Sequence, residues 1–502
     1  MHPEIAPHRT EQVIDVGNCT RPARRLSIVC QLSRIIWSHR HLRVRPFLME
    51  KLRQQLLKNL AVRENGLDLR RSTGDTPVNR FLLFCAVALF AAMAWQPLRA
   101  EDGGSGFVHT RGAELVDGSG RTLMLRGTNL GNWLEPEGYM FRFGDDGPTS
   151  PREIEEYFDE LIGPDQAAAF WREYRDVYIT KADIDFLKST GVNSVRVPIH
   201  YKFFTTGNNE GFRLLDRVVA WAKADGLYVI IDMHQAPGGQ TGTNIDDSYG
   251  YPWLYDSPGS QTELIAIWKR IAEHYSNETA VLGYDLLNEP IPHFPELQKY
   301  NSQLEPIYKR VSMAIRAVDQ HHVLILGGAQ WDTNFSIFGP PFDNNVLYQL
   351  HLYEFNTPWN AQTAAKTEAN LARYTAFRDK YHVPIWLGES GENDDAWVRG
   401  FREMLEKHNI GWCFWPYKKM EASSSFVAFP KPDHWDEIVK YSTERRGVGN
   451  AEKQLALRPS PEVAAAAMKQ LLENVKLARC RVNTGYIGAL GLTVPAGGVP
   501  VQ

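Results

Sequence analysis

The chain has 502 residues, 43% of them hydrophobic and 23% charged, an ordinary balance for a folded soluble protein with room for one large domain and extra segments. Its net charge of −4 hides an asymmetry: residues 1–80 carry 15 Lys+Arg against 7 Asp+Glu, whereas 101–502 carry 39 against 52. So acidic a region is a poor candidate for binding nucleic acid or an anionic membrane through bulk charge, and a neutral substrate suits it better.

In chain order, residues 1–80 hold scattered arginines, little periodicity and the breaker stretch Ser72-Thr-Gly-Asp-Thr-Pro77. They read as a disordered leader or an overextended start of translation. Phe81–Trp95 is an uninterrupted run without charge, preceded by Arg70, Arg71 and Arg80 and followed by Pro97-Leu-Arg-Ala100. It is shorter than the roughly 20 apolar residues that span a bilayer, so 81–100 is expected to be a signal peptide with its cleavage region; a retained membrane anchor is the alternative. Secretion follows from the first reading. Of five cysteines only Cys413 and Cys480 fall in the mature part, so at most one disulfide can form there, and no Cys/His spacing suggests zinc.

From residue 101 to about 450, eight short apolar runs alternate with stretches of helical periodicity, which predicts parallel sheet with crossover helices. The strands are expected at Leu123–Leu130, Ser194–Ile199, Tyr228–His234, Val281–Glu289, Val323–Trp331, Val346–Phe355, Pro384–Ser390 and Gly411–Lys418. Helices are expected at Lys181–Ser189, Leu214–Asp225, Gln261–Tyr275, Leu304–Val318, Thr367–Tyr381 and Trp397–His408. Eight such units predict an α/β protein built as a single (β/α)8 barrel, with long loops after the first strand (Gly131–Thr180) and the third (Gln235–Ser260) shaping a cleft. In 451–502, Pro461–Ala478 is a closing helix capped by Ser460, and Asn483–Gln502, rich in Gly and Pro, is expected to be a loose tail.

Chemistry concentrates at the strand ends. Asn288-Glu289-Pro290 closes one run and Trp386-Leu-Gly-Glu389-Ser another. In a barrel, residues at the C-terminal ends of different strands converge on one mouth. Two carboxylates there are what glycosidic cleavage needs: one acid for the leaving oxygen and one carboxylate facing the anomeric carbon. Taken alone, Glu289 is equally an acid at a helix start. Arg196, His234, His351 with Tyr353, and Trp415 close other strands; His351 and Tyr353, two apart, share a face. An inward Arg196 could be a structural ion pair, and the histidine and tyrosine could be satisfied core residues.

Arg196, His234, Asn288, Glu289, His351, Tyr353, Glu389 and Trp415, in this order and on these strands, resemble glycoside hydrolase family 5, from about Gly106 to Tyr441. Arg121-Thr-Leu-Met-Leu-Arg126-Gly-Thr-Asn-Leu-Gly-Asn-Trp133 and Asp232-Met-His234-Gln-Ala-Pro-Gly-Gly are similar to its exo-β-1,3-glucanase branch. Asn132, where that branch has glycine, and Ser390, where an aromatic residue is common, depart from it and leave the linkage open. The resemblance implies Glu289 as acid/base and Glu389 as nucleophile, Arg196 and Tyr353 holding Glu389, His351 lining the sugar site, Asn288 on the 2-hydroxyl and Trp415 as the floor of the cleavage subsite. His234 joins the orienting set. Trp133, Trp253, Trp331 and Trp359 are candidates for further subsites, and Glu135 or Glu137 for a hydroxyl at the non-reducing end.

The expected activity is that of a secreted retaining β-glycosidase acting on a β-glucan or related β-glucoside, with no metal or organic cofactor. The expected partner is a β-linked oligo- or polysaccharide, with no nucleic acid and no stable membrane partner, and the protein is expected to be a monomer. A β-mannanase, a hydrolase of glycolipids or other β-glycosides, or a transglycosidase of the same family is one alternative; a non-catalytic carbohydrate-binding barrel is another.

Overall fold

The computed structural model describes residues 106–494 apart from Asn244 and Tyr249. The expected leader and export segment, 1–100, and the last residues, 495–502, lie outside the described residues.

Eight parallel strands close into a barrel, each bonded to the next in sequence and the last to the first. They are β1 (Arg126–Asn129), β2 (Ser194–His200), β3 (Tyr228–Gln235), β4 (Val281–Asp285), β5 (Val323–Gly327), β6 (Val346–His351), β7 (Ile385–Glu389) and β8 (Gly411–Phe414). All eight expected runs supply one strand. Several end earlier than expected, because the chain leaves the ladder to deliver side chains into the mouth. Beyond Asp285, the Asn288 N–H turns back to bond Met233 O at 3.0 Å, and Glu289 adopts φ 44°. The second glutamate, by contrast, is the last residue of its strand.

Inside the barrel, Leu125, Ile230, Leu282, Val323, Ile325, Leu347, Trp386 and Cys413 form a dry plug. An antiparallel hairpin, Gly106–Arg111 with Glu114–Gly118, closes the N-terminal end by adding Val108 and Leu115 to it. Phe107 stacks on His321 at 4.8 Å, just before β5, and the Thr110 N–H donates to Asn345 Oδ1, just before β6. With one end plugged, the open face is the end where the strands finish.

The segment after β1 is not irregular loop. Ser150-Pro151 caps a helix over Pro151–Ile162, and Gly163-Pro164 starts a second over Pro164–Val177. Both starts carry proline at the first helical position, where no N–H is needed; the periodic residues Ile154, Tyr157, Phe158 and Leu161 are buried beneath them. Among its described residues, the segment after β3 is looped apart from a single turn at Trp253–Tyr255.

The C-terminal part differs more. The closing helix runs Pro461–Asn474 and packs on the two helices after β1. Asn483–Leu492, expected as the start of a loose tail, is packed instead. Thr484–Ala489 is helical, Tyr486, Ile487 and Leu490 are buried, and the Tyr486 hydroxyl donates to Trp415 O at 3.2 Å. Apolar side chains here outweigh the Gly and Pro content that suggested disorder. Lys418 ties the end of the closing helix to the barrel: fully buried, its Nζ donates to Asp183 Oδ1 at 2.7 Å, Tyr178 O at 2.6 Å and Val475 O at 2.8 Å.

Lys418→Met keeps the shape but leaves Asp183 as a buried carboxylate without its cation, a loss of about 3–5 kcal/mol. The variant is expected to unfold at a clearly lower denaturant concentration; an unchanged midpoint contradicts the anchoring role.

Candidate active site

The mouth is organised around a cation with no exposed surface. Arg196, inward from β2, donates Nε–H to Asp285 Oδ2 at 2.8 Å, Nη1 to Asn129 Oδ1 at 3.0 Å and to Glu389 Oε1 at short range, and Nη2 to Asn288 Oδ1 at 2.9 Å. Asp232 Oδ1 lies 3.0 Å from Nη2. Burial opposes the guanidinium charge, but Asp232, Asp285 and Glu389 overcome it and raise its pKa well above the ordinary range. One cation cannot neutralise all three carboxylates. Burial accordingly lifts Asp232 to about 7 and Asp285 well above the carboxylate range, in both cases against the pull of Arg196.

Glu389 is held from two sides, Arg196 on Oε1 and the Tyr353 hydroxyl on Oε2 at 3.1 Å. Glu289 sits opposite. His351 stands between them, Nδ1 3.0 Å from Glu289 Oε1 and 3.7 Å from Glu389 Oε2, and ligand-type atoms of all three lie within 4.8 Å of one another. Burial pushes the His351 pKa down to about 3, so the ring is neutral at ordinary pH. Burial raises the Glu289 carboxyl, with His234, Arg196 and His293 opposing. Of the pair, Glu289 is a carboxyl that burial holds against ionisation and Glu389 is hydrogen-bonded on both oxygens, an arrangement suited to acid/base work on one side and nucleophilic work on the other.

One wall is dense and polar. His234 donates or accepts at Asp232 Oδ2, 2.7 Å away, and its ring lies parallel to Trp415 at 5.5 Å. Burial lowers its pKa to about 4. Trp415 has room only because residue 131 is glycine, where a Cβ would fall 2.3 Å from the indole. The Trp415 Nε1–H donates to Tyr139 Oη at 2.6 Å, so a residue from the segment after β1 closes over the site. Behind it Glu135 and Glu137 are buried; burial raises both carboxyls well above their ordinary range. Glu135 Oε2 and Glu137 Oε1 make no hydrogen bond among the described residues. With His234 they bring ligand-type atoms within 4.8 Å of one another, a spacing open to a cation and equally to sugar hydroxyls.

The resulting cavity, about 480 Å³, includes His234, Asn288, Glu289, His351, Tyr353, Glu389 and Trp415 in its lining. Arg196 supports these from beneath, so all eight strand-end residues singled out in the sequence meet in one place. The other tryptophans separate. Trp331 lines the cavity; Trp133 is core, with Nε1–H on Arg175 O at 2.8 Å; Trp359 packs edge-on against Trp397 at 6.2 Å; Trp253 lies outside the cavity lining, against Tyr251. Asp232, Asp285, Tyr139 and Asp332 were not singled out. Asp232 had a usable signal, since it is two residues before His234 and so shares its strand face. Cys413 and Cys480 are both free, buried thiols.

The family model for cellulase (glycosyl hydrolase family 5) matches residues 160–421. A beta-xylosidase from Phanerodontia chrysosporium is 29% identical over 346 residues, 62% of this chain and 71% of its own length. Endoglucanase C from Acetivibrio thermocellus is 24% identical over 318 residues, 51% of this chain and 89% of its own length. A probable glucan 1,3-beta-glucosidase A from Emericella nidulans is 30% identical over 279 residues, 53% of this chain and 66% of its own length. The family match covers more than half of the sequence and includes all eight strand-end residues: the chain belongs to glycosyl hydrolase family 5 and is a glycoside hydrolase.

Proposed function

We propose that the protein is a secreted, exo-acting, retaining β-glycosidase that removes a terminal sugar from a β-glucan or related β-glucoside. The observation that carries the retaining assignment is the short gap across the site, with oxygens of Glu289 and Glu389 within 4.8 Å. Retaining enzymes keep their carboxyl groups about 5–5.5 Å apart, while inverting ones need roughly 6.5–9.5 Å to admit a water.

In the first step Glu389 attacks the anomeric carbon and the bond to the aglycone breaks as Glu289 gives its proton to the departing oxygen. In the second, Glu289 takes a proton from water, whose oxygen displaces Glu389 and leaves the sugar with its original configuration. Arg196 and Tyr353 each occupy one oxygen of Glu389, which fixes the carboxylate plane. Because Arg196 takes Asn288 Oδ1, the Asn288 amide N–H groups are turned the other way, suited to the sugar 2-hydroxyl. Trp415 offers a flat apolar face to the ring's C–H surface.

Exo action is favoured by the one-sided wall. Glu135, Glu137, His234, Trp415 and Tyr139 close the side away from the leaving group, and acceptors without partners suit the hydroxyls of a chain end. Trp331 and Phe355 also line the cavity, Phe355 with an exposed ring and Trp331 edge-on to the exposed Phe294. Secretion rests on the charge-free run Phe81–Trp95, and N-terminal sequencing of exported material tests it.

Glu389→Gln is expected to lower turnover at least about 1,000-fold without a change in unfolding midpoint; retention of more than about a hundredth of wild-type rate rules out the nucleophile role. Glu289→Ala is expected to spare glycosides with activated aryl leaving groups, and added azide should restore turnover with a β-glycosyl azide as product. No acceleration by azide counts against the acid/base role.

A further inference from the structure

Asp332 is a buried carboxyl that the chemistry above does not use, and the fold has gone to unusual lengths to place it. Gln330, Trp331 and Asp332 are three consecutive non-glycine residues at positive φ, 53°, 54° and 61°, a left-handed run that disfavours side chains bearing a Cβ. A Cβ on Gly327 would fall 1.8 Å from Asp332 Oδ1, so glycine at the end of β5 is required for the carboxyl to fit. Asp332 Oδ2 accepts the backbone N–H of Glu289 at 3.1 Å and lies 3.4 Å from His351 Nε2, a nitrogen that is buried and makes no hydrogen bond among the described residues. Oδ1 is buried and makes no hydrogen bond among the described residues. Burial raises this carboxyl well above the ordinary range, with Asp285 and Glu289 adding to the shift.

We propose that Asp332 is the positioning residue of the acid/base: it pins Glu289 in its strained backbone conformation and sets which nitrogen of His351 carries the proton that faces Glu289. This rests on the reading of Glu289 as the acid/base. A neutral imidazole has one N–H. If it is on Nε2 it points to Asp332, and Nδ1 is free to accept the O–H of a protonated Glu289. If Asp332 holds the proton instead, it donates to Nε2, and Nδ1–H donates to an ionised Glu289. Two protons are shared by three groups in both arrangements, so the proton on Glu289 is balanced against the one on Asp332. The other charged or titratable groups facing this chain include Arg196, Asp232, Asp285, His234, His293, Glu137, Glu389 and Tyr353, with Tyr255, Tyr308 and Tyr374 around Asp332.

The sign of the effect follows. Asp332→Asn cannot take up a proton from Nε2 and supplies an amide donor to it, which favours the arrangement with Nδ1–H on a Glu289 carboxylate. This lowers the pKa of Glu289. Activity is lost as pH rises through that pKa, so the basic limb of the kcat/KM profile is expected to move about one unit toward acid. On a methoxyphenyl β-glucoside, whose poor leaving group needs the proton, kcat should fall about 100-fold with little change in KM, while a dinitrophenyl β-glucoside should lose less than about threefold. Gly327→Ala leaves every charge in place but displaces the carboxyl, and should show the same split between substrates. It keeps the test decisive if Asp332→Asn folds poorly. Equal losses on both substrates with an unmoved basic limb, or full activity in both variants, overturn the proposal. Glu289→Ala run in parallel separates the two readings: no split in that variant overturns the acid/base assignment itself, and a split there without one in the Asp332 and Gly327 variants overturns only the role of Asp332.

Discussion

Arg196 sets the terms for everything at the barrel mouth. A guanidinium without solvent is tolerable only with ionic and hydrogen-bonding partners, and here β1, β3, β4 and β7 each send one, Asn129, Asp232, Asp285 and Glu389, joined by Asn288 beyond β4. Because the donors of a guanidinium are fixed in one plane, each partner is held at a defined angle, so this side chain orients the Glu389 carboxyl and sets the facing of the Asn288 amide. The surplus of negative charge around it is equally important. With three carboxylates around one buried cation, burial raises the carboxyls of Asp232 and Asp285 despite the pull of Arg196, and burial likewise raises Glu289, the next carboxyl outward, against the pull of His234, Arg196 and His293.

The segment after β1 supplies the asymmetry that a bare barrel lacks. Its two helices bury an aromatic cluster in which Phe141, Phe158, Trp171 and Tyr174 meet Trp435 from the C-terminal part. This cluster gives the loop carrying Glu135, Glu137 and Tyr139 a rigid backing. Trp415 is braced similarly, between Gly131, His234 and Tyr139 in the mouth and Tyr486 behind. The C-terminal segment thus belongs mechanically to the site, although none of it lines the cavity. A wall so supported can bind sugar hydroxyls without first having to be ordered, which leaves more of the binding energy for the reacting centre.

The barrel was legible in the sequence because fully buried parallel strands read as continuous apolar runs, and Val281–Leu287 and Ile385–Leu387 could hardly be anything else. The eight strand-end residues were legible because their order along the chain is itself a pattern. Less visible were the residues whose meaning depends on neighbours distant in sequence. Asp285 reads as an ordinary strand end until Arg196 and Gln349 are seen against it. Asp332 reads as an acid in a turn, since neither its left-handed backbone nor the space left by Gly327 has a signature in composition. The helices at 151–177 were hidden in a stretch long enough to be taken for loop, though Ser150-Pro151 and Gly163-Pro164 mark their starts. The packed tail was hidden by its glycines.

The central claim is that two carboxyl groups this close, one resisting ionisation and one gripped by donors, act by double displacement. The stereochemistry of the first-formed sugar tests it most directly. Proton NMR of a hydrolysis followed from its first minutes, on whichever β-glycoside the enzyme cleaves fastest, should show the β-anomer appearing first and the α-anomer only later, by mutarotation. An α-anomer that appears first contradicts a covalent intermediate on Glu389 and requires a water between the two carboxyl groups.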